Sequence, residues 1–266
     1  MPQNGRVLII AGSDPSGGAG IQADIKAVTM MGAYAASAIT ALTVQNTLGV
    51  TDVLPIDPDF VKAQIKSVLS DIGADCLKTG MLHDAGLINA VTISLADEAY
   101  KGQLVVDPVM VATSGDRLLK AEAVEAMKAE LLPRATVVTP NIPEAEVLAD
   151  MKIGGVDDMR KAAEKILELG ARSVCMKGGH LKVDKLTDLL VTADGDEYLA
   201  EAEKIDTRHT HGTGCTFASV MAAELSKGEA VEDAFFAAHS FVYDAIKMAP
   251  QLGAGHGPLG HAYVRS

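Results

Sequence analysis

Short apolar runs, each followed by a conspicuous polar group and then a helical pattern, recur along most of the chain. Residues 7–11 form the first, and they lead into Gly12-Ser13-Asp14-Pro15-Ser16-Gly17-Gly18-Ala19-Gly20, a strand followed by a glycine-rich loop. Residues 21–31 predict a helix stopped by Gly32. Residues 33–44, small and β-branched, predict a buried strand that delivers Gln45-Asn46-Thr47 to a loop. Asp57 followed by Pro58 marks a helix start, and Phe60, Val61, Ile65, Val68, Leu69 and Ile72 keep helical spacing. Residues 76–81 predict a short strand running into a turn, with a helix over 85–100.

The pattern repeats in the second half. A strand at 104–106 ends at Asp107-Pro108, and a helix over 121–132 is closed by Pro133. A strand at 136–138 ends at Thr139-Pro140-Asn141, followed by helices over 143–150 and 156–169, the latter stopped by Gly170. The strand at 173–176 ends at Lys177-Gly178-Gly179-His180. Segments 186–192 and 198–202 predict a β-hairpin turned by Ala193-Asp194-Gly195-Asp196. Helices over about 216–226 and 231–248 precede a Gly/His tail. Strand and helix alternate at βαβ spacing without linker or repeat. The expectation is one α/β domain over 1–266, a mainly parallel sheet with helices on both faces, because strands buried on both faces read as continuous apolar runs.

Composition narrows this. Hydrophobic residues make up 48% of the 266 residues, but aromatics only 4% with no Trp, so the core must be aliphatic. A formal charge of −12 argues against nucleic acid or an anionic membrane as partner. Phosphate binding would therefore need positive potential concentrated locally. The three cysteines, Cys76, Cys175 and Cys215, suggest neither a disulfide framework nor a CxxC metal site. The N-terminal residues lack a signal-peptide pattern, and no apolar stretch approaches the ~20 residues needed to span a bilayer. A soluble, cytoplasmic protein is expected.

The polar groups at the strand ends carry the functional information. In open parallel sheets, ligands bind outside the carboxyl ends of the strands. Asp14, Asp107, Asn141 and Lys177 are therefore expected on one edge, near His209-Thr210-His211-Gly212-Thr213-Gly214-Cys215-Thr216-Phe217. A glycine-rich turn opening a helix directs free N–H groups and the positive helix end at an anion. By itself the stretch fits an ordinary loop-to-helix junction equally well. Asn141-Ile142-Pro143-Glu144 fits a capping box, and Glu144 with Asp107 also fits Mg²⁺ held directly or through water. Lys177, ahead of two glycines, suits phosphate neutralisation. The Gln45 amide matches an aminopyrimidine edge, a ring nitrogen beside an exocyclic amine.

Two other motifs carry less. Gly18-Ala19-Gly20-Ile21-Gln22-Ala23 satisfies GxGxxA, but Thr40 stands where a dinucleotide site needs an acidic residue. The seven histidines show no zinc-ligand spacing, and no Walker sequence is present.

The segments from Ala11 to Asp24, Gln45-Asn46-Thr47, Lys78-Thr79-Gly80-Met81-Leu82, Asp107-Pro108-Val109-Met110, Thr139-Pro140-Asn141, Met176-Lys177-Gly178-Gly179-His180 and His211-Gly212-Thr213-Gly214-Cys215-Thr216 together resemble the hydroxymethylpyrimidine/phosphomethylpyrimidine kinases of thiamine biosynthesis. The resemblance runs almost end to end and implies a ribokinase-like three-layer α/β/α fold. It also implies ATP- and Mg²⁺-dependent phosphorylation of 4-amino-5-hydroxymethyl-2-methylpyrimidine and then of its monophosphate, by a homodimer. By position, Gln45 would pair with the ring, with Gly12, Asp24 and Met81 around it. Asp107, Asn141 and Glu144 would manage Mg²⁺ and phosphates, Lys177 would neutralise charge, and Gly212, Thr213, Gly214 and Cys215 would form the anion hole. Asn141, Lys177 and Thr213 would meet the nucleotide. Cys215 stands where related sugar kinases carry an Asp base, and both a thiolate base and a backbone role are open. His239 stands about where relatives often carry Lys. Pyridoxal kinase of the same fold is the nearest competing reading. An NAD-dependent oxidoreductase and a non-catalytic binding protein rank below it.

Overall fold

A computed structural model describes residues 5–110, 121–181 and 185–265. Among them nine strands form one sheet: β1 (Arg6–Ser13), β2 (Tyr34–Asn46), β3 (Gly49–Pro55), β4 (Cys76–Thr79), β5 (Gln103–Val106), β6 (Val137–Val138), β7 (Ser173–Met176), β8 (Lys185–Thr192) and β9 (Glu197–Glu203). Their order is β3-β2-β1-β4-β5-β6-β7-β8-β9. The six strands from β2 to β7 in that order run parallel, while β3, β8 and β9 pair antiparallel at the edges.

The helices are α1 (Gly20–Met30), α2 (Pro58–Asp71), α3 (Ala85–Asp97), α4 (Ala121–Ala126), α5 (Ile142–Ala149), α6 (Val156–Leu167), α7 (Thr213–Ser226) and α8 (Val231–Lys247). Alternation along β1 shows how one apolar run serves both faces of the sheet. Leu8 and Ile10 join a core built with α2 to α6. Val7, Ile9 and Ala11 join a second core with α1, α7 and α8. The result is three layers, α/β/α. Helix α7 is buried at every position from Thr216 to Ser226, which explains why its sequence is mostly apolar with no polar stripe. Among the described residues no helix is long and apolar enough to cross a membrane.

Three expectations need correction. Gln45 and Asn46 lie at the end of β2 rather than in a loop, because β2 continues to pair with β3, Gln45 against Val50 and Asn46 against Gly49. Strand β3 was not expected: as an edge strand it is mostly solvated and lacks an apolar face. The helix expected to run to residue 132 holds α geometry only to Ala126. It widens to a π turn at Met127–Leu131 and tightens to a 3₁₀ turn at Leu132–Arg134, where Pro133 ends it.

The tail knits distant segments together at one end of the sheet. His256 N donates to Thr47 O (2.8 Å) and His211 N to Gly257 O (3.1 Å). Arg208 Nη1 donates to Ala254 O (3.1 Å), and Thr216 Oγ1 pairs with His261 Nε2 (2.8 Å).

Candidate active site

Strand order reverses direction at β1: the chain goes from β1 to β2 on one side and later to β4 on the other. Open sheets of this kind leave a crevice at that switch point, outside the carboxyl ends of the strands. A cavity of about 730 Å³ lies there. Asp14, Asp107, Asn141 and Lys177, the polar groups that follow β1, β5, β6 and β7, all line it. So do Gly12, Gln45, Met81, Glu144, Gly212, Thr213, Gly214 and Cys215.

Helix α7 begins three residues earlier than the sequence pattern predicts, so Thr213, Gly214 and Cys215 form its first turn. Gly212 caps it at φ 85°, and a Cβ there would collide with the Gly18 carbonyl; only glycine fits. Thr213 N donates to Thr210 O (3.3 Å) and Thr216 N to Gly212 O (2.9 Å). Among the described residues nothing accepts from the Gly214 and Cys215 N–H groups, which the helix leaves free as it leaves any first turn. Gly18 of the GxGxxA loop thus packs against this turn, while Gly20 lets the backbone close on Gly12 at the end of β1.

Beside those free donors stands a cation. Lys177 Nζ pairs with Asp107 Oδ1 at 3.0 Å, and a Cβ on Gly214 would sit 3.2 Å from the same nitrogen. Burial works against the Lys177 charge, but Asp107 and Glu144 outweigh it and raise its pKa. Backbone pairing places the lysine: Lys177 N donates to Pro140 O (2.9 Å), and Asn141 and Lys177 form a parallel bridge that extends β6 and β7. The turn that follows is pinned by Asp188 on β8, which accepts from Gly178 N (2.8 Å) and from His239 Nδ1 of α8 (2.8 Å). His239 is therefore engaged with Asp188.

The capping box at α5 is present. Glu144 N donates to Asn141 Oδ1 (2.9 Å) and Asn141 N to Glu144 Oε2 (2.9 Å), while Met110 N approaches Glu144 Oε1 (3.4 Å). Burial pushes the Glu144 carboxyl up to about 7; Lys177 opposes this and Asp107 adds to it. Two carboxylates crowded beside one lysine suit a divalent cation. Among the described residues, however, no cluster of three or more His, Cys, Asp or Glu side chains could cage one. The donors fit Mg²⁺ held mainly by phosphates and water, its usual mode, rather than by an all-protein site.

At the other end of the cavity Gln45 accepts from Thr43 Oγ1 (3.1 Å), which leaves its amide nitrogen facing inward near His211 Nε2 (3.4 Å). Gly12 and Met81 pack together on the wall, with Met81 Sδ 3.3 Å from the position of a Gly12 Cβ. His211 Nε2 bonds Asp14 Oδ2 at 2.8 Å. Burial alone would raise the Asp14 carboxyl, but bonds from His211, Ser16 and Ala19 hold it down at about 2. The imidazole thus faces a carboxylate and donates to it. This pair was not singled out from sequence because its members stand 197 positions apart.

Asp24 is a correction. Expected beside the ring, it is wholly buried behind the cavity wall, with Lys78 Nζ at 2.9 and 3.0 Å and Ser219 Oγ at 2.7 Å. Its position on α1 faces β4 and α7, not the ligand space. Cys215 does reach the cavity, but burial pushes its thiol up to about 12, more than nearby Lys78 offsets. Sequence reasoning missed the apolar and polar wall made by Leu186, Ile205, Thr207, Val242 and Tyr243. Asp188 was legible in principle, as an acidic residue within the apolar run of β8.

The phosphomethylpyrimidine kinase family model matches residues 14–260. The hydroxymethylpyrimidine/phosphomethylpyrimidine kinase of Bacillus subtilis (strain 168) is 45% identical over 258 residues, covering 96% of this chain and 94% of that protein. The protein so named from Haemophilus influenzae is 46% identical over 266 residues, covering 98% of each. Among solved structures, an ADP complex of Bacillus subtilis pyridoxal kinase superposes with a TM-score of 0.91 at 40% identity, covering 99% of both chains. The three-layer architecture is accordingly the ribokinase-like fold. With the family profile covering nearly the whole length and relatives matched end to end, this chain belongs to the phosphomethylpyrimidine kinase family.

Proposed function

We propose that the chain transfers the γ-phosphoryl group of ATP to the hydroxymethyl oxygen of 4-amino-5-hydroxymethyl-2-methylpyrimidine, and then phosphorylates the monophosphate to the diphosphate, in thiamine biosynthesis. The carrying observation is that two free helix-terminal N–H groups and the Lys177 ammonium share one cavity with the inward-facing Gln45 amide.

Phosphoryl transfer asks for positioning and charge neutralisation more than covalent chemistry. In this reading Gln45 holds the aminopyrimidine edge, with Gly12 and Met81 against the ring. The hydroxymethyl oxygen attacks the γ-phosphorus as the bond to the β-γ bridging oxygen breaks, and ADP leaves with that electron pair. The Gly214 and Cys215 N–H groups and Lys177 take up the charge on the moving group. A thiol held near 12 stays protonated at neutral pH, so Cys215 contributes its backbone rather than a thiolate base. The hydroxyl proton departs late, to an oxygen of the transferred phosphoryl group and from there to solvent, as a loose transition state allows. Mg²⁺, when bound, would help neutralise the charge of the phosphates, and Asp107 and Glu144 would hold it directly or through water. Asn141 and Thr213 line the nucleotide side. The reading also takes the chain as one cytoplasmic kinase domain acting as a homodimer. Exposed Leu42, Val44 and Leu54 on the β2–β3 ribbon support the dimer, and sedimentation velocity tests it.

The assay is ADP release from ATP and Mg²⁺ with the pyrimidine, following mono- and diphosphate products. No ADP above background would overturn the proposal.

A second reading is pyridoxal phosphorylation, favoured by the close superposition on a pyridoxal kinase. Gln45 argues for the aminopyrimidine, since pyridoxal offers a phenolic oxygen where the pyrimidine offers an amine. A higher kcat/KM for pyridoxal would reverse the order.

A further inference from the structure

Beneath the anion-binding turn lies a charged cluster that touches neither ligand space nor solvent. Lys78 of β4, Asp24 of α1 and Ser219 of α7 are each fully buried. Asp24 Oδ1 accepts from both Lys78 Nζ (2.9 Å) and Ser219 Oγ (2.7 Å), and Asp24 Oδ2 accepts from Lys78 Nζ (3.0 Å). Lys78 and Asp24 were also sequence-motif residues, and the chemistry above uses neither.

Stability does not explain the cluster. A buried ion pair is often no better than apolar residues of equal volume, and its best-attested use is to fix one arrangement among several. Here it joins the sheet to two helices, and the point of attachment is informative. Ser219 lies four residues after Cys215, one turn down the same face of α7. Apart from the Thr216–His261 bond, α7 is held mainly by apolar side chains, whose contacts are non-directional and do little to fix the helix along its axis. The Lys78 ammonium also backs directly on the cavity wall: a Cβ on Gly80, a lining residue, would sit 3.0 Å from it.

We propose that Asp24, Lys78 and Ser219 are positioning residues that lock α7 axially, so that the Gly214 and Cys215 N–H groups meet the transferring phosphoryl group in register. The inference rests on the phosphoryl-transfer reading above. It predicts that the cluster acts on the transition state rather than on substrate affinity.

Ser219→Ala removes one hydroxyl and leaves the ion pair intact. It should fold like the wild type, lower kcat between about 10- and 100-fold as a misaligned reacting group does, and leave KM for the pyrimidine within about twofold. The double replacement Asp24→Leu with Lys78→Met substitutes apolar volume for the pair. It should remain folded with a comparably low kcat. Combined with Gly214→Ala, whose methyl would press the first turn of α7 away from Lys177, the Ser219→Ala loss should be less than multiplicative, since both shift the same turn. Wild-type kcat in either folded variant, a change confined to KM, a lowered Tm with unchanged kcat per folded site, or full multiplicativity would each overturn the inference. Absence of ADP release from the wild type would instead sink the kinase reading itself.

Discussion

Lys177 Nζ lies 3.0 Å from Asp107 Oδ1 and within 3.2 Å of where a side chain on Gly214 would begin. One ammonium is thus shared between a carboxylate and the mouth of a helix. It is the principal cation facing the proposed phosphate path in a chain of net charge −12. Lys177→Met should therefore lower kcat on the order of 10²- to 10³-fold, the range seen when one preorganised donor to a developing charge is lost. Lys177→Arg should recover only part, because the planar fork cannot reproduce a compact point charge between Asp107 and Gly214. Steady-state kinetics with saturating ATP checks both.

Cys215 separates a base from a backbone donor. With its thiol held near 12 by burial, Cys215→Ser should keep kcat within about 10-fold, below the usual contribution of a general base. A loss on the order of 10³-fold would refute the backbone role. Alkylation by iodoacetamide offers an independent readout: the Cys215 rate should still be climbing above pH 9, without the plateau near neutrality of an activated thiol.

Glu144 gives stability a definite pH sign. Its carboxyl rises from an ordinary 4.5 to about 7 in the folded protein, mainly through burial. Between those values the folded state keeps a proton that the unfolded state has lost. Stability should therefore fall as pH rises from 4.5 through 7, and the full cost persists above 7. Glu144→Gln, which can still cap α5, should remove that slope. Thermal unfolding of both proteins between pH 5 and 8 should show Tm curves that diverge by about 3 °C or more.

In the proposed reaction Gln45 is the residue that reads the ring. Gln45→Leu leaves the exocyclic amine and ring nitrogen unpaired, so kcat/KM for the pyrimidine should drop about 10- to 100-fold, with KM for ATP unchanged. A parallel loss in ATP binding would place Gln45 in a structural role at the end of β2. Measuring KM for both substrates in the same variant distinguishes the two.

What was legible in the sequence was local. Apolar runs gave the parallel strands, and Asp57 and the Asn141–Glu144 box gave two helix starts whose cap bonds the structure contains. The carboxyl-end rule gathered Asp14, Asp107, Asn141 and Lys177 on one edge before any coordinates. What was not legible depended on partners far away. Asp24 was expected beside the ring by resemblance, and its partners appear only when Lys78, 54 positions on, and Ser219, 195 positions on, are placed against it. Strand β3 has no burial signature because it pairs along an edge and is largely solvated. His239 could be compared with relatives but not assigned a partner until Asp188 stood 2.8 Å away.

The hydrogen bonds of His256 to Thr47 and His261 to Thr216 also order the site in time. Both ends of the cavity, the β2 ribbon carrying Gln45 and the helix carrying the free N–H groups, are tied down by the segment that follows α8. Contacts of such long sequence separation form late. The proposed site is therefore completed last, when residues 256 and 261 dock.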